Sequence, residues 1–431
     1  MDTELSTTTG TSPATTTAAA TTDPDRAGQR DGHGPGHPAR RAVSPALLIG
    51  IVLVAANLRT PLTGVGALLP TIQHGSGLTE GWSGLLTTLP LLTFAVTSPL
   101  VARASHRFGT ARLLVAALAA LIVGTVVRSL PSLACLFIGT VILSAAIAFG
   151  NVVLPALIRR SVPPQRIHSI SALYVTVMGL TAAVSSGISL PLAHVLPGSW
   201  RTSLAWGVVF TIVALAVWLP RIRNDKHEAT AGATRSPIPW KSRVAWQVTF
   251  FMGLQSLGFY TAVAWLPSIL ARHGLSGTAA GWVLFYYQLV ALIASSLLPF
   301  LTRGRADQRW IALGSSLIVA SGFALLAAAP SAYLVACTLL GLGGGTTLVL
   351  ALTFQSQRAR SAGDAAALAG MAQSIGYLIA ATGPLLLGVL HHGGQGWTLP
   401  LSLLVVVSVV MAGAGYGAGR DRLAHHGEQH H

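Results

Sequence analysis

Charged residues are scarce in this chain: Asp, Glu, Lys and Arg make up 9% of its 431 residues, whereas hydrophobic residues make up 52%. A soluble domain usually carries about 25% charged residues, and a soluble fold of this size would expose much of the apolar surface to water. Lipid is the alternative solvent, and apolar runs of the roughly 20 residues that a helix needs to cross it recur from Ser44 to Ala418. The composition therefore excludes a soluble protein and predicts an all-α, multi-pass membrane protein.

Cysteine and acidic residues are also few, and their positions exclude several kinds of site. Cys135 and Cys337 both lie inside apolar runs, so neither a disulfide framework nor a metal site is indicated. None of the 12 acidic residues falls inside a predicted span, whereas an enzyme embedded in the membrane needs acid, base or metal groups that converge there. The Gly-rich loop of an ATP-binding protein is missing too. We expect no enzymatic activity, no cofactor and no metal.

Twelve apolar runs, bounded by charges, Pro and Gly, are predicted to cross the bilayer as helices. They cover residues 44–70, 81–102, 111–129, 132–158, 168–195 and 200–220, then 243–270, 279–302, 309–329, 331–356, 365–391 and 397–418. This divides the chain into an N-terminal bundle of six helices, 44–220, and a C-terminal bundle, 243–418, joined by a cytoplasmic linker, 221–242. Residues 1–43, rich in Thr, Ala, Pro, Gly and Asp, are predicted to be a disordered cytoplasmic tail, and residues 419–431 a second tail.

The basic residues indicate the orientation. The formal net charge is +15, but Lys and Arg form short clusters between apolar runs, which is the pattern of cytoplasmic loops and not of a nucleic-acid-binding surface. Of the 27 basic residues, 23 fall on one side of the twelve spans, and only Arg128, Arg201 and Arg272 fall on the other. The positive-inside rule then predicts an inner-membrane protein with both termini in the cytoplasm.

The two halves of the chain resemble each other. Residues 67–70, Ala-Leu-Leu-Pro, precede a Gly-Trp pair at 81–82, and residues 264–267, Ala-Trp-Leu-Pro, precede a Gly-Trp pair at 281–282. Two parallel six-helix repeats are the architecture of the major facilitator fold, in which a substrate site lies between the halves near the middle of the membrane. We therefore expect a secondary transporter that works as a monomer by alternating access.

Arg59 is the one charge that the sequence places clearly inside a span. It lies about 21 Å from the cytoplasmic end of the first predicted helix, where an arginine costs about 2.5–3.5 kcal/mol on insertion scales. A guanidinium that faces the central cavity would supply a permanent positive charge, and a planar fork of donors, for an anionic or strongly dipolar substrate. The alternative is a side chain that snorkels toward the outer interface.

Polar and aromatic side chains in other spans are candidates to line the same cavity. They are Asn57, Asn151, Tyr174, Gln255, Tyr260, Gln288, Gln373 and Tyr377. In membranes such groups more often form hydrogen bonds across helix interfaces, and this alternative stays open for each of them. Glu80, just before the second span, is the candidate for proton coupling. Protonation of the substrate itself and uncoupled transport are the other two options.

At several of these residues the chain resembles the cyanate and 2-nitroimidazole permease family of major facilitators. The matching segments are Asn57-Leu58-Arg59, residues 155–160 after Asn151, residues 253–256 with 265–267, and residues 373–377. The resemblance implies transport of a small polar molecule, for which cyanate and nitroimidazoles are the precedents. The alternative function is efflux of drugs or toxic metabolites through a large apolar cavity.

Overall fold

The structure is a computed structural model and describes residues 45–220, 237–302, 305–391 and 396–424. Within these residues the chain folds into fourteen α-helices, with a short 3-10 turn at Pro330–Ala332 and no β-strand. The predicted N-terminal tail, residues 221–236 of the predicted linker and the last seven residues of the chain lie outside the described part.

The helices follow the predicted spans closely. Their bounds are α1 (Pro45–Asn57), α2 (Thr60–Ser76), α3 (Glu80–Phe108), α4 (Thr110–Arg128), α5 (Leu133–Ser161), α6 (Pro164–Val195), α7 (Trp200–Ala205), α8 (Val208–Trp218), α9 (Arg243–Arg272), α10 (Gly277–Thr302), α11 (Arg309–Ala328), α12 (Tyr333–Gln357), α13 (Ala362–Leu390) and α14 (Thr398–Ala418). Two predicted spans are each divided into two helices, the first into α1 and α2 and the sixth into α7 and α8. Among the described residues, eleven stretches are long and apolar enough to cross a bilayer. The 29-residue α3 is a long helix of the bundle that is not among these eleven stretches.

The helices form two groups that correspond to the two halves of the sequence. In the N-terminal half, α1 contacts α5, α6 and α8, and α4 packs along α5; in the C-terminal half, α13 packs along α9, and α11 packs between α12 and α14. The halves meet mainly through α3 with α13, α6 with α10 and α2 with α9, and α2 also contacts α10. One apolar core runs from the C-terminal half into α2 and α3, where it includes Leu69, Leu91 and Phe94. The all-α fold of two six-helix groups is confirmed.

We call the end of the bundle at which α3 ends and α4 begins the basic side, and the end at which α2 ends and α3 begins the far side. Close contacts between the halves lie in the far-side portions of the helices. A Cβ atom added to Gly66 of α2 would lie 1.9 Å from the carbonyl oxygen of Val263 in α9, and one added to Gly84 of α3 would lie 2.9 Å from that of Pro384 in α13. Small residues let helix backbones approach this closely in a membrane. Glycine at these two positions therefore brings the halves together on the far side.

Candidate functional site

The first predicted span is interrupted at Leu58 and Arg59, and the interruption has a local cause. Pro61 lies in the first turn of α2; it has no N–H to bond the carbonyl of Asn57, and its ring would clash with that carbonyl in a continuous helix. α1 therefore ends at Asn57, and Arg59 takes the N-cap position of α2. This break was not predicted from the sequence, although a proline inside a span is the signal for it. Because a helix N-terminus carries partial positive charge, the break adds to the positive potential around Arg59.

The side chain of Arg59 is half-buried and lies between the two halves of the bundle. Its Cζ atom is 5.4 Å from the centroid of the Phe259 ring, which belongs to α9 in the opposite half. The guanidinium is also close enough to the hydroxyl groups of Tyr287 and Tyr377 to interact with them electrostatically. Within the described residues no carboxylate forms an ion pair with it. The positive charge of Arg59 therefore faces the C-terminal half without a negative partner from the described residues.

Aromatic side chains of the C-terminal half surround this charge. We call Phe259, Tyr260, Tyr287 and Tyr377 the aromatic wall. The Phe259 ring is 5.3 Å from that of Tyr260 and 6.2 Å from that of Tyr287, and Tyr377 meets Phe94 of α3 edge to face at 5.6 Å. Tyr260 and Tyr377 were predicted from the sequence. Phe259 and Tyr287 were not, since a run of aromatic residues on a helix does not show which ring faces the cavity.

Three of the predicted amides are engaged in hydrogen bonds with the protein. The Asn57 amide donates to the carbonyl of Leu53 at 2.7 Å and accepts from the hydroxyl of Thr211 at 2.6 Å, which ties the end of α1 to α8. Gln288 of α10 donates to the hydroxyl of Ser186 in α6 at 2.6 Å, across the two halves. Gln255 donates to the hydroxyl of its neighbour Ser256 at 2.7 Å. All three side chains are buried.

The other three predicted side chains lie on three different helices. Gln373 is half-buried and precedes Tyr377 by one turn on the same face of α13. Asn151 of α5 is exposed, and Tyr174 of α6 packs against the apolar core of the N-terminal half.

Arg128 is a second arginine inside the bundle, whereas the sequence pattern puts it on the outer side of the spans and predicts Arg59 as the one charge clearly inside a span. Its side chain is 1% exposed and reaches back into the bundle from the last residue of α4. One guanidinium nitrogen, Nη1, donates to the carbonyl of Pro61 at 2.7 Å, and the other, Nη2, donates to the carbonyl of Leu204 at 3.0 Å. Arg128 thus bonds to the first turn of α2, two residues from Arg59. It also bonds to α7, close to the break between α7 and α8. It also lines a cavity of about 40 Å³ with Thr63 and Tyr260.

Glu80 lies at the far side and not beside Arg59. Its carboxylate Oε1 is 3.5 Å from Nε2 of His391, at the end of α13 in the opposite half. In the described part of the chain, no three His, Cys, Asp or Glu side chains come together that could hold a metal ion.

Residues 47–381 match the profile of the Major Facilitator Superfamily. The chain belongs to this superfamily. It is 43% identical over 382 residues to the 2-nitroimidazole transporter of Escherichia coli K12, a match that covers 87% of this chain and 96% of the relative. It is 28% identical over 357 residues to the cyanate transport protein of the same organism, covering 80% and 90%. The resemblance to the cyanate and 2-nitroimidazole permeases is confirmed, and these relatives of the major facilitator type are transporters.

Solved structures of major facilitators share the fold. A bacterial homologue of the human lysosomal transporter Spinster, in an inward-facing and occupied conformation, matches with a TM-score of 0.72 at 15% identity, over 86% of this chain and 96% of the other. The D-xylose–proton symporter matches with a TM-score of 0.70 at 13% identity, over 86% and 97%. At such low identity these matches bear on the fold alone, and they agree with a multi-pass membrane protein.

Proposed function

We propose that this major facilitator is a secondary transporter that moves a small, electron-rich polar solute across the inner membrane by alternating access, with Arg59 as the substrate ligand. The observation that carries the proposal is the guanidinium of Arg59, which lies at a helix break between the halves, faces Phe259, and has no carboxylate partner among the described residues. A solute with negative charge or a strong dipole supplies the missing partner.

The chemistry of the site favours a planar, electron-rich solute. A guanidinium donates two parallel hydrogen bonds to paired oxygens and remains charged at any physiological pH. The aromatic wall offers ring faces and edges against which a flat molecule can stack. A nitroimidazole presents two nitro oxygens to the guanidinium and a flat ring to the wall, and a cyanate-like anion presents negative charge. The 2-nitroimidazole and cyanate transporters among the relatives support this substrate class.

The orientation of the bundle indicates from which side of the membrane Arg59 is reached. The basic side carries most of the Lys and Arg, so we assign it, with both termini, to the cytoplasm. The far side, where α3 meets α13 and α2 meets α9, is then the outer side, and it is closed in this structure. We therefore assign the structure to a state in which Arg59 is reached from the cytoplasm. Because one chain supplies both Arg59 and the aromatic wall, we propose that a monomer is sufficient.

Uptake by proteoliposomes tests this function. We expect the wild-type protein to transport radiolabelled cyanate or 2-nitroimidazole, and we expect Arg59→Ala to lose most of that transport. Arg59→Lys keeps the charge but loses the planar fork, so it should recover only part of the activity. The matched control is Arg272→Ala, which removes an exposed arginine at the far side. Wild-type transport by Arg59→Ala would exclude Arg59 as the ligand and leave drug efflux through an apolar cavity as the better account.

A further inference from the structure

Glu80 and His391 connect the two halves of the transporter at the far side. Glu80 is the first residue of α3, and His391 caps the C-terminus of α13. The carboxylate oxygen Oε1 and the imidazole nitrogen Nε2 are 3.5 Å apart. Glu80 is the residue that the sequence suggests for proton coupling, and its partner His391 lies on the side where the halves are in contact.

The imidazole of His391 is enclosed by its surroundings. The side chain of His391 is 7% exposed and stacks on the Trp397 ring, with the ring centroids 3.9 Å apart and the planes inclined by 15°. Two further atoms, the Glu80 oxygen Oε2 and the His391 nitrogen Nδ1, are buried and have no hydrogen-bond partner among the described residues. A buried polar group without a partner is costly. Binding a proton at the imidazole creates a full ion pair, whose attraction offsets part of that cost.

The pair exists only while the far side is closed. A Cβ added to Gly388, one turn before His391, would lie 2.8 Å from the Glu80 carbonyl oxygen. Further along the same helices, the Thr88 hydroxyl donates to the carbonyl of Ala381 at 3.2 Å. Since these contacts join α3 to α13, any opening of the far side separates Glu80 from His391.

We propose that Glu80 and His391 form a proton-binding latch that holds the far side closed. This inference rests on the alternating access of the proposed function and adds a regulator to it. A histidine changes its charge between pH 5 and 8, whereas a glutamate is ionised over most of that range. Protonated His391 attracts the Glu80 carboxylate, so acidification stabilises the closed far side. As the pH rises and the imidazole loses its proton, the attraction is lost and the far side opens more readily.

Other titratable groups at this side do not share the contact. His74, His194, Arg272 and His273 are exposed, the guanidinium of Arg201 lies over the Trp200 ring at 4.2 Å, and His392 lies outside the described residues. Among the described charged groups, Glu80 is the ion-pair partner of His391.

Distance measurements between spin labels test the latch. Cysteines replace Leu130, in the loop after α4, and Leu399, at the start of α14; both positions are exposed and lie on the far side in opposite halves. Cys135 and Cys337 are replaced by Ala, and the full-length protein is placed in lipid nanodiscs without substrate. Double electron–electron resonance at pH 5.5 and pH 8 then gives the ratio of closed to open far side. We expect this ratio to be larger at the lower pH, by roughly threefold for a partly exposed ion pair.

Substitutions identify the groups responsible for the pH dependence of the ratio of closed to open far side. Both Glu80→Gln and His391→Gln should abolish the pH dependence, whereas His273→Gln, which removes an exposed histidine on the same side, should retain it. A ratio that does not change with pH in the wild type overturns the latch, and so does a wild-type response in His391→Gln. Because the readout needs no substrate, failure of the latch is distinguishable from failure of Arg59 as the substrate ligand.

Discussion

The guanidinium of Arg59, in the N-terminal half, lies 5.4 Å from the centre of the Phe259 ring, in the C-terminal half. Each half therefore contributes one side of the candidate site, and a solute bound between them contacts both. A cation over an aromatic face is attracted by the ring quadrupole. The contact also holds the guanidinium toward the cavity, where it is available to a solute.

Phe259→Leu should weaken substrate binding while preserving the fold. Leucine keeps an apolar side chain at this position but removes the aromatic face, which contributes about 0.5–2 kcal/mol to a cation–π contact. The dissociation constant of 2-nitroimidazole should rise several-fold in a titration of the purified protein. Phe259→Tyr retains the ring and is the matched control. Equal weakening in both variants would show that size at this position, and not the aromatic face, determines binding.

Gly66→Ala should prevent full closure of the far side. The added Cβ would lie 1.9 Å from the carbonyl oxygen of Val263, and backbone at such a contact has to move, which typically costs about 1–3 kcal/mol. Transport should fall about tenfold or more, and the spin-label pair at Leu130 and Leu399 should report a larger open fraction. Gly314→Ala, where a Cβ meets no atom within 4 Å, should behave as the wild type. Normal closure in Gly66→Ala would contradict the assigned interface.

Arg128→Gln should destabilise the N-terminal half. The guanidinium satisfies the carbonyls of Pro61 and Leu204 inside the bundle, and leaving a buried acceptor unsatisfied costs about 1–3 kcal/mol. The melting temperature of the purified protein should fall clearly, and substrate affinity should fall with it because Pro61 positions the break at Arg59. Arg272→Gln, at an exposed arginine, is the control. An unchanged melting temperature would argue against a structural role for Arg128.

The hydrogen bond between Gln288 and Ser186 should stabilise the contact between α10 and α6. It is 2.6 Å long and joins the two halves. Inter-helix hydrogen bonds in membranes contribute about 0.6 kcal/mol on average in double-mutant cycles. A cycle of Gln288→Leu and Ser186→Ala, measured by unfolding in detergent, should give a coupling energy of that order. Additive effects of the two substitutions would place Gln288 with the cavity-lining residues instead.

The fold was predictable because its main determinants are local in the sequence. The length of the twelve apolar runs follows from the membrane thickness. The sorting of Lys and Arg between loops gives the orientation of the spans. The Pro at residues 70 and 267 marks the repeat of the two halves. The break at Arg59 was also encoded locally, by Pro61, and it was overlooked because the run of apolar residues continues on both sides.

The site was predictable only in part, because helix packing decides which polar groups face each other. Arg59 was identified by the cost of placing a charge inside the membrane. Phe259 and Tyr287 could not be distinguished from ordinary core aromatics without the neighbouring helices. Arg128 was counted on the outer side of the membrane because its Cα lies at the end of α4, whereas its long side chain extends back into the bundle.

The most direct test of the central claim is the affinity of the purified transporter for 2-nitroimidazole and for cyanate, measured by calorimetric titration on the wild type and on Arg59→Gln. Hydrogen bonds to a charged group contribute about 1.5–3 kcal/mol. We therefore expect Arg59→Gln to weaken binding of at least one of these solutes by about tenfold or more. The Arg272→Gln control should bind both solutes as the wild type does. Binding of both solutes to Arg59→Gln with wild-type affinity would contradict the central claim.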